Sequence, residues 1–127
     1  MADTRQYRVL VVDDSLFMRR ELKIILEKYG FALAGEANNG LEAIKAYKTS
    51  RPDVVLLDIV MPIMDGISTL RTIRELDPTA CVIMVSSMSM QQKVVEAARA
   101  GAKQFVVKPF KEEQVVARIK QVLGLPA

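Results

Sequence analysis

Val54-Val55-Leu56-Leu57-Asp58 reads as four apolar residues, two of them β-branched, closing on one carboxylate. A run this short, apolar throughout and without alternation, has the pattern of a strand covered on both faces, as in a parallel sheet. The same pattern recurs upstream in Val9-Leu10-Val11-Val12, which closes on Asp13-Asp14, and downstream in Cys81-Val82-Ile83-Met84-Val85, which closes on Ser86-Ser87. Leu33-Ala34-Gly35-Glu36-Ala37 is a weaker run, and Phe105-Val106-Val107 ends on Lys108. Helical spacing fills the intervals: Leu22, Ile25, Leu26 and Tyr29; Leu41, Ile44 and Tyr47; Ile67, Leu70 and Ile73; Val115, Ile119, Val122 and Leu123. Asn39, with Glu42 three residues on, has the form of a helix start. Gly30, Gly101 and Gly124 stand where helices should stop, with Pro126 beyond the last. Five alternations of strand and helix predict an α/β doubly wound parallel sheet with helices on both faces.

The 127 residues suffice for one domain with a real core and are too few for two, so a single domain over 1–127 is expected, with loose ends at residues 1 to about 7 and the last few. With 50% hydrophobic and 26% charged residues, the composition is that of a globular chain and excludes disorder. No apolar run approaches the roughly 20 residues that span a bilayer, and Met1–Gln6 lack the apolar segment of a secretory signal, which together predict a cytoplasmic protein away from membranes. The single Cys81 cannot form an internal disulfide and is expected as a buried thiol. The net charge of +3 raises the question of nucleic acid, but Lys and Arg are spread along the chain and aromatics are few, so no nucleic-acid partner is expected. The absence of His excludes histidine acid/base or metal-ligand chemistry.

The strand ends carry the chemistry. In an open parallel sheet, ligands bind outside the carboxyl ends of the strands. Asp13, Asp14, Asp58, Ser86, Ser87 and Lys108 would therefore share one edge. Each has an ordinary reading alone: helix capping for Asp13-Asp14 and Ser86, a turn before Pro62 and Gly66 for Asp58, a surface amine for Lys108. Their convergence argues for a site. Two carboxylates roughly 4 Å apart repel by up to about 4 kcal/mol at an effective dielectric near 20. Lys108 offsets only part of three such charges, and a hard cation with oxygen ligands, Mg²⁺, suits the remainder. Beside such an ion a carboxylate is a competent nucleophile toward phosphorus. Asp58, Lys108 and Ser86 are the expected reactive set: acceptor, charge partner and hydroxyl donor.

Four segments resemble the receiver domain of response regulators: Val11-Val12-Asp13-Asp14-Ser15, Asp58 to Gly66 (Asp-Ile-Val-Met-Pro-Ile-Met-Asp-Gly), Val85-Ser86-Ser87 and Val107-Lys108-Pro109-Phe110. The resemblance runs from Arg8 to about Leu123, and Phe17-Met18-Arg19 and Ala100–Phe105 look like stand-alone chemotaxis-type members. It implies the flavodoxin-like strand order 2-1-3-4-5, which the pattern alone does not dictate. It implies phosphorylation on Asp58 by a histidine kinase, Mg²⁺ held by Asp14, Asp58 and the Val60 carbonyl with Asp13 close by through water, and a Ser86–Phe105 switch pair. A cis bond before Pro109 is implied too, together with a monomeric state and, as output partner, a flagellar motor switch protein. The chain would catalyse its own phosphorylation and slow dephosphorylation without being a turnover enzyme.

Two departures stand out. Phe105 lacks the hydroxyl that chemotaxis members often carry there, and Val60 and Met88 flank the site where many relatives are polar. Three other readings compete. A phosphorelay intermediate would use the same site. A phosphohydrolase would need a second Asp as general acid at position 60, which is Val. A flavin carrier would need a phosphate-cradling loop where Asp13-Asp14 stand.

Overall fold

The five runs form five parallel strands and each is followed by a helix: β1 (Arg8–Val12), α1 (Leu16–Lys28), β2 (Ala32–Ala37), α2 (Gly40–Ser50), β3 (Val54–Asp58), α3 (Gly66–Leu76), β4 (Val82–Ser87), α4 (Gln91–Arg99), β5 (Gln104–Lys108) and α5 (Glu112–Leu123). The computed structural model describes residues 7–87 and 91–126, so the expected loose residues 1–6 and Met88 lie outside the described residues. The sheet order is β2-β1-β3-β4-β5, all parallel, the flavodoxin-like arrangement the resemblance implied.

Alternate strand residues feed two cores. Leu10, Val12, Val55, Leu57, Val82 and Met84 pack with Ala43 and Tyr47 of α2, Ile67, Leu70 and Ile73 of α3, and Ala97 of α4. Val9, Val11, Leu56, Ile83 and Val85 pack with Leu22, Ile25 and Leu26 of α1 and Val115, Val116 and Ile119 of α5. Burial on both faces is why the central strands read as unbroken apolar runs. Each buried Leu, Ile or Val contributes about 1.5–3 kcal/mol relative to an exposed one, and all five residues of β3 are buried. This strand is the rigid post on which Asp58 stands. β2 lies at the sheet edge and only its last residue, Ala37, is buried, the reason its run is weak.

The caps follow local chemistry. Ser15 Oγ accepts from the Met18 N–H (3.2 Å), Asn39 Oδ1 from Glu42 (3.0 Å) and Asp65 Oδ1 from Ser68 (2.8 Å). At Gly66 only glycine fits, because a Cβ there would run into the carbonyl oxygen of Asp58. One expectation is corrected. Cys81 is only half-buried, because it precedes β4 and sits at the rim of the core. In α2, Ala43 and Tyr47 turn inward, and Leu41 is 50% exposed. Among the described residues no helix is long and apolar enough to cross a membrane.

Candidate functional site

Register brings the acids together. Val12 pairs with Leu57, so the residues that follow, Asp13 and Asp58, emerge side by side. Ser86 and Ser87 are the last two residues of β4 and Lys108 the last of β5; the sequence reading had placed them just beyond. One carboxylate oxygen from each of Asp13, Asp14 and Asp58 lies within 4.8 Å of the others. A cavity of about 240 Å³ opens above Asp58, lined by Asp14, Ile59, Val60, Ser86, Ser87 and Lys108.

Asp13 is buried and fully engaged. Its N–H donates to the Ala37 carbonyl (3.1 Å), its Oδ1 accepts from the Ser15 N–H (2.9 Å), and its Oδ2 accepts from Lys108 Nζ (3.0 Å). Its carbonyl accepts from Arg19 Nη1 (2.7 Å). Asp14 is exposed at the mouth. Asp58 is buried, with Lys108 Nζ 3.6 Å from its Oδ2. Burial, then the neighbouring Asp13 charge, pushes its carboxyl up to about 6; Lys108 and the Val60 N–H pull it back, and Asp14 adds to the rise. At neutral pH it is ionised, yet held at an electrostatic cost. Ser86 Oγ is buried with no hydrogen-bond partner among the described residues, an arrangement that costs about 1–3 kcal/mol. Three clustered hard oxygen donors fit Mg²⁺, which is usually held by one or two carboxylates plus phosphate, and the Lys108 ammonium offsets part of their charge.

The profile of the response regulator receiver domain matches residues 9–120. The chain belongs to the receiver domain family. Among its relatives, the chemotaxis protein CheY of Thermotoga maritima is 50% identical over 115 residues, covering 91% of this chain and 96% of the relative. CheY of Bacillus subtilis is 47% identical over 118 residues, covering 93% and 98%. The fold matches the CheX–CheY–BeF3–Mg complex from Borrelia burgdorferi with a TM-score of 0.88 at 41% identity, over 92% of this chain and 89% of that one. It matches the response regulator domain of Thermotoga maritima CheB with a TM-score of 0.86 at 36% identity, over 95% and 98%.

In this receiver the Lys108–Pro109 peptide is cis, as the resemblance implied. Phe105 is half-buried against the core that includes Met84 and Ala97, one strand over from Ser86. Val60 stands 59% exposed at the cavity rim. Two residues have structural roles that the sequence reading did not assign. Arg19 was quoted only for family likeness, since nothing local in Met18-Arg19-Arg20 marks which arginine turns toward Asp13. Ile63 adopts φ 70°, and the Met64 N–H donates to the Pro62 carbonyl across it (2.7 Å), a γ-turn of the strained, positive-φ kind. A β-branched residue gives no sequence signal for that conformation.

Proposed function

We propose that this receiver is the phospho-accepting switch of a two-component chemotaxis pathway. Asp58 accepts a phosphoryl group from a histidine kinase: a carboxylate oxygen forms the new O–P bond as the P–N bond to the donor histidine breaks. Asp14, Asp58 and the Val60 carbonyl would hold Mg²⁺, with Asp13 close by through water; the ion would supply neutralisation of phosphoryl charge. Lys108, now bridging Asp13 and Asp58, turns to one phosphoryl oxygen, and Ser86 Oγ donates to another. Water later cleaves the O–P bond and returns Asp58, so the chain is a switch and not a turnover enzyme. The Borrelia relative, solved with Mg and with BeF3, a tetrahedral phosphoryl mimic, supports the same occupancy here.

The observation that carries the reading is the buried Ser86 hydroxyl, without a hydrogen-bond partner among the described residues, at the strand end beside Asp58. A phosphoryl oxygen next to Asp58 would satisfy it. Ser86 drawn toward that oxygen vacates space into which the Phe105 ring can move, altering the surface of α4, β5 and α5. That surface is the proposed contact for a flagellar motor switch protein. Chemotaxis is favoured over a phosphorelay because the relatives matched along nearly their whole length include the chemotaxis proteins CheY of Thermotoga maritima and Bacillus subtilis.

The test is incubation with a small acyl phosphate, read by intact mass. One phosphoryl group should appear on the parent in Mg²⁺, none in chelator, and none on Asp58→Asn. Equal labelling in chelator, or labelling of the variant, would refute the proposal.

A further inference from the structure

Asp13 and Asp14 share one peptide unit, and its carbonyl is gripped from the side. Arg19, one turn into α1, donates Nη1 to the Asp13 carbonyl (2.7 Å) and Nε to Glu36 Oε1 on β2 (3.0 Å). Lys23 Nζ holds the other Glu36 oxygen (2.8 Å). The Lys23 hydrogen bond first, then that of Arg19, holds the Glu36 carboxyl below its usual range against the opposing effect of its partial burial. The Arg19 side chain is only 14% exposed, so this is not a loose surface pair. Its planar fork addresses two acceptors at once, which a lysine ammonium on a flexible stem does not reproduce.

We infer that Arg19, anchored by Glu36, is a positioning residue that sets the Asp13–Asp14 peptide and thereby aims the exposed Asp14 carboxylate at the metal. Every other polar group of Asp13 is committed elsewhere: the N–H to β2, Oδ1 to Ser15, Oδ2 to Lys108. The carbonyl bond is the remaining constraint on the peptide plane from which Asp14 departs. Asp14, exposed at the pocket mouth, depends on its backbone for direction. The inference rests on the Mg²⁺ site proposed above.

Two explanations of Arg19 predict opposite signs. If Arg19 mattered only as a positive charge near three carboxylates, its removal would leave the cluster more negative and tighten Mg²⁺ binding. As a positioning residue, its removal weakens binding, and orienting partners of metal ligands are typically worth 10–100-fold in affinity. The experiment is Mg²⁺ titration by calorimetry of the parent, Arg19→Ala, Arg19→Lys and Glu36→Ala, with the metal-free ¹³C shift of the Asp13 carbonyl read alongside. Arg19→Ala and Arg19→Lys should both raise the Mg²⁺ Kd about tenfold or more and move the carbonyl shift; Glu36→Ala should do so less. Should Arg19→Ala not fold, Arg19→Lys and Glu36→Ala carry the same test. Unchanged or tighter binding by Arg19→Ala, or full retention by Arg19→Lys, overturns the inference. A parent that binds no Mg²⁺ overturns the metal site and this inference with it; a binding parent with equally binding variants overturns this inference alone.

Discussion

Lys108 stands nearer to Asp13 than to Asp58: its Nζ is 3.0 Å from Asp13 Oδ2 and 3.6 Å from Asp58 Oδ2. The carboxylate proposed as the nucleophile is thus the less compensated of the two buried acids. Folding raises its pKa from 3.8 to about 6. The folded state therefore binds this proton more tightly, and the contribution to stability is present below pH 3.8 and lost as pH rises through about 6. Two units correspond to about 3 kcal/mol. Asp58→Asn should match the parent near pH 3.5 and become progressively more stable than it between pH 4 and 6, by on the order of 2–3 kcal/mol, with no further change above. Urea unfolding of both proteins across this range checks it; a stability difference independent of pH would rule it out.

Mg²⁺ should act as a folding ligand. Binding only the folded site, it stabilises by about 2.7 kcal/mol at a hundredfold excess over Kd. Asp14→Asn should abolish that increment. Because Asp14 is exposed, the metal-free variant should gain less than about 1 kcal/mol from relieved repulsion. Thermal melts with and without Mg²⁺ report both effects, and a Mg²⁺ increment that survives the substitution contradicts the assignment.

Ile63 is 74% exposed and held at φ 70°. A positive-φ γ-turn is a sparsely populated conformation that costs an L-residue on the order of 1–3 kcal/mol, and Gly, with no Cβ, adopts it most readily. Ile63→Gly should therefore stabilise by about 1 kcal/mol once the greater unfolded-state entropy of Gly is set against it, raising Tm by about 3–5 °C, whereas Ile63→Ala should gain less. Calorimetric melts distinguish the two, and a Gly variant no more stable than the parent would show that the turn carries no strain.

The rim of the site bears on lifetime. Hydrolysis needs a water aligned with phosphorus, and a polar side chain can hold it. Val60 at the rim cannot, and Met88, outside the described residues, is apolar as well. The phosphorylated protein should lose its phosphoryl group slowly, and Val60→Asn with Met88→Glu should decay about tenfold faster, equivalent to about 1.4 kcal/mol. Decay of the phosphorylated mass peak measures both rates; equal rates in a variant that folds and binds Mg²⁺ would end this explanation.

The central strands were legible because both their faces are buried, so Val54 to Leu57 had to be apolar at every position. The acid, hydroxyl and amine positions were legible because they terminate such runs. α4 was not: of Gln91–Arg99 only Ala97 is buried, so no apolar stripe marks it. Cys81 was misjudged because an apolar residue at the edge of an element carries the same signal as one at its centre.

Local pattern by itself thus determined the α/β alternation and the list of residues at strand ends, since periodicity and strand length depend only on which neighbours along the chain are apolar. The tertiary structure decided the rest. The register of β1 on β3 set Asp13 beside Asp58, and the resulting burial raised the Asp58 pKa; burial at the end of β4 left Ser86 Oγ with no hydrogen-bond partner among the described residues. The turn of α1 chose Arg19 to grip the Asp13 carbonyl and Glu36. Distances, desolvation and shared hydrogen bonds arise between residues remote in sequence, and no local pattern encodes them.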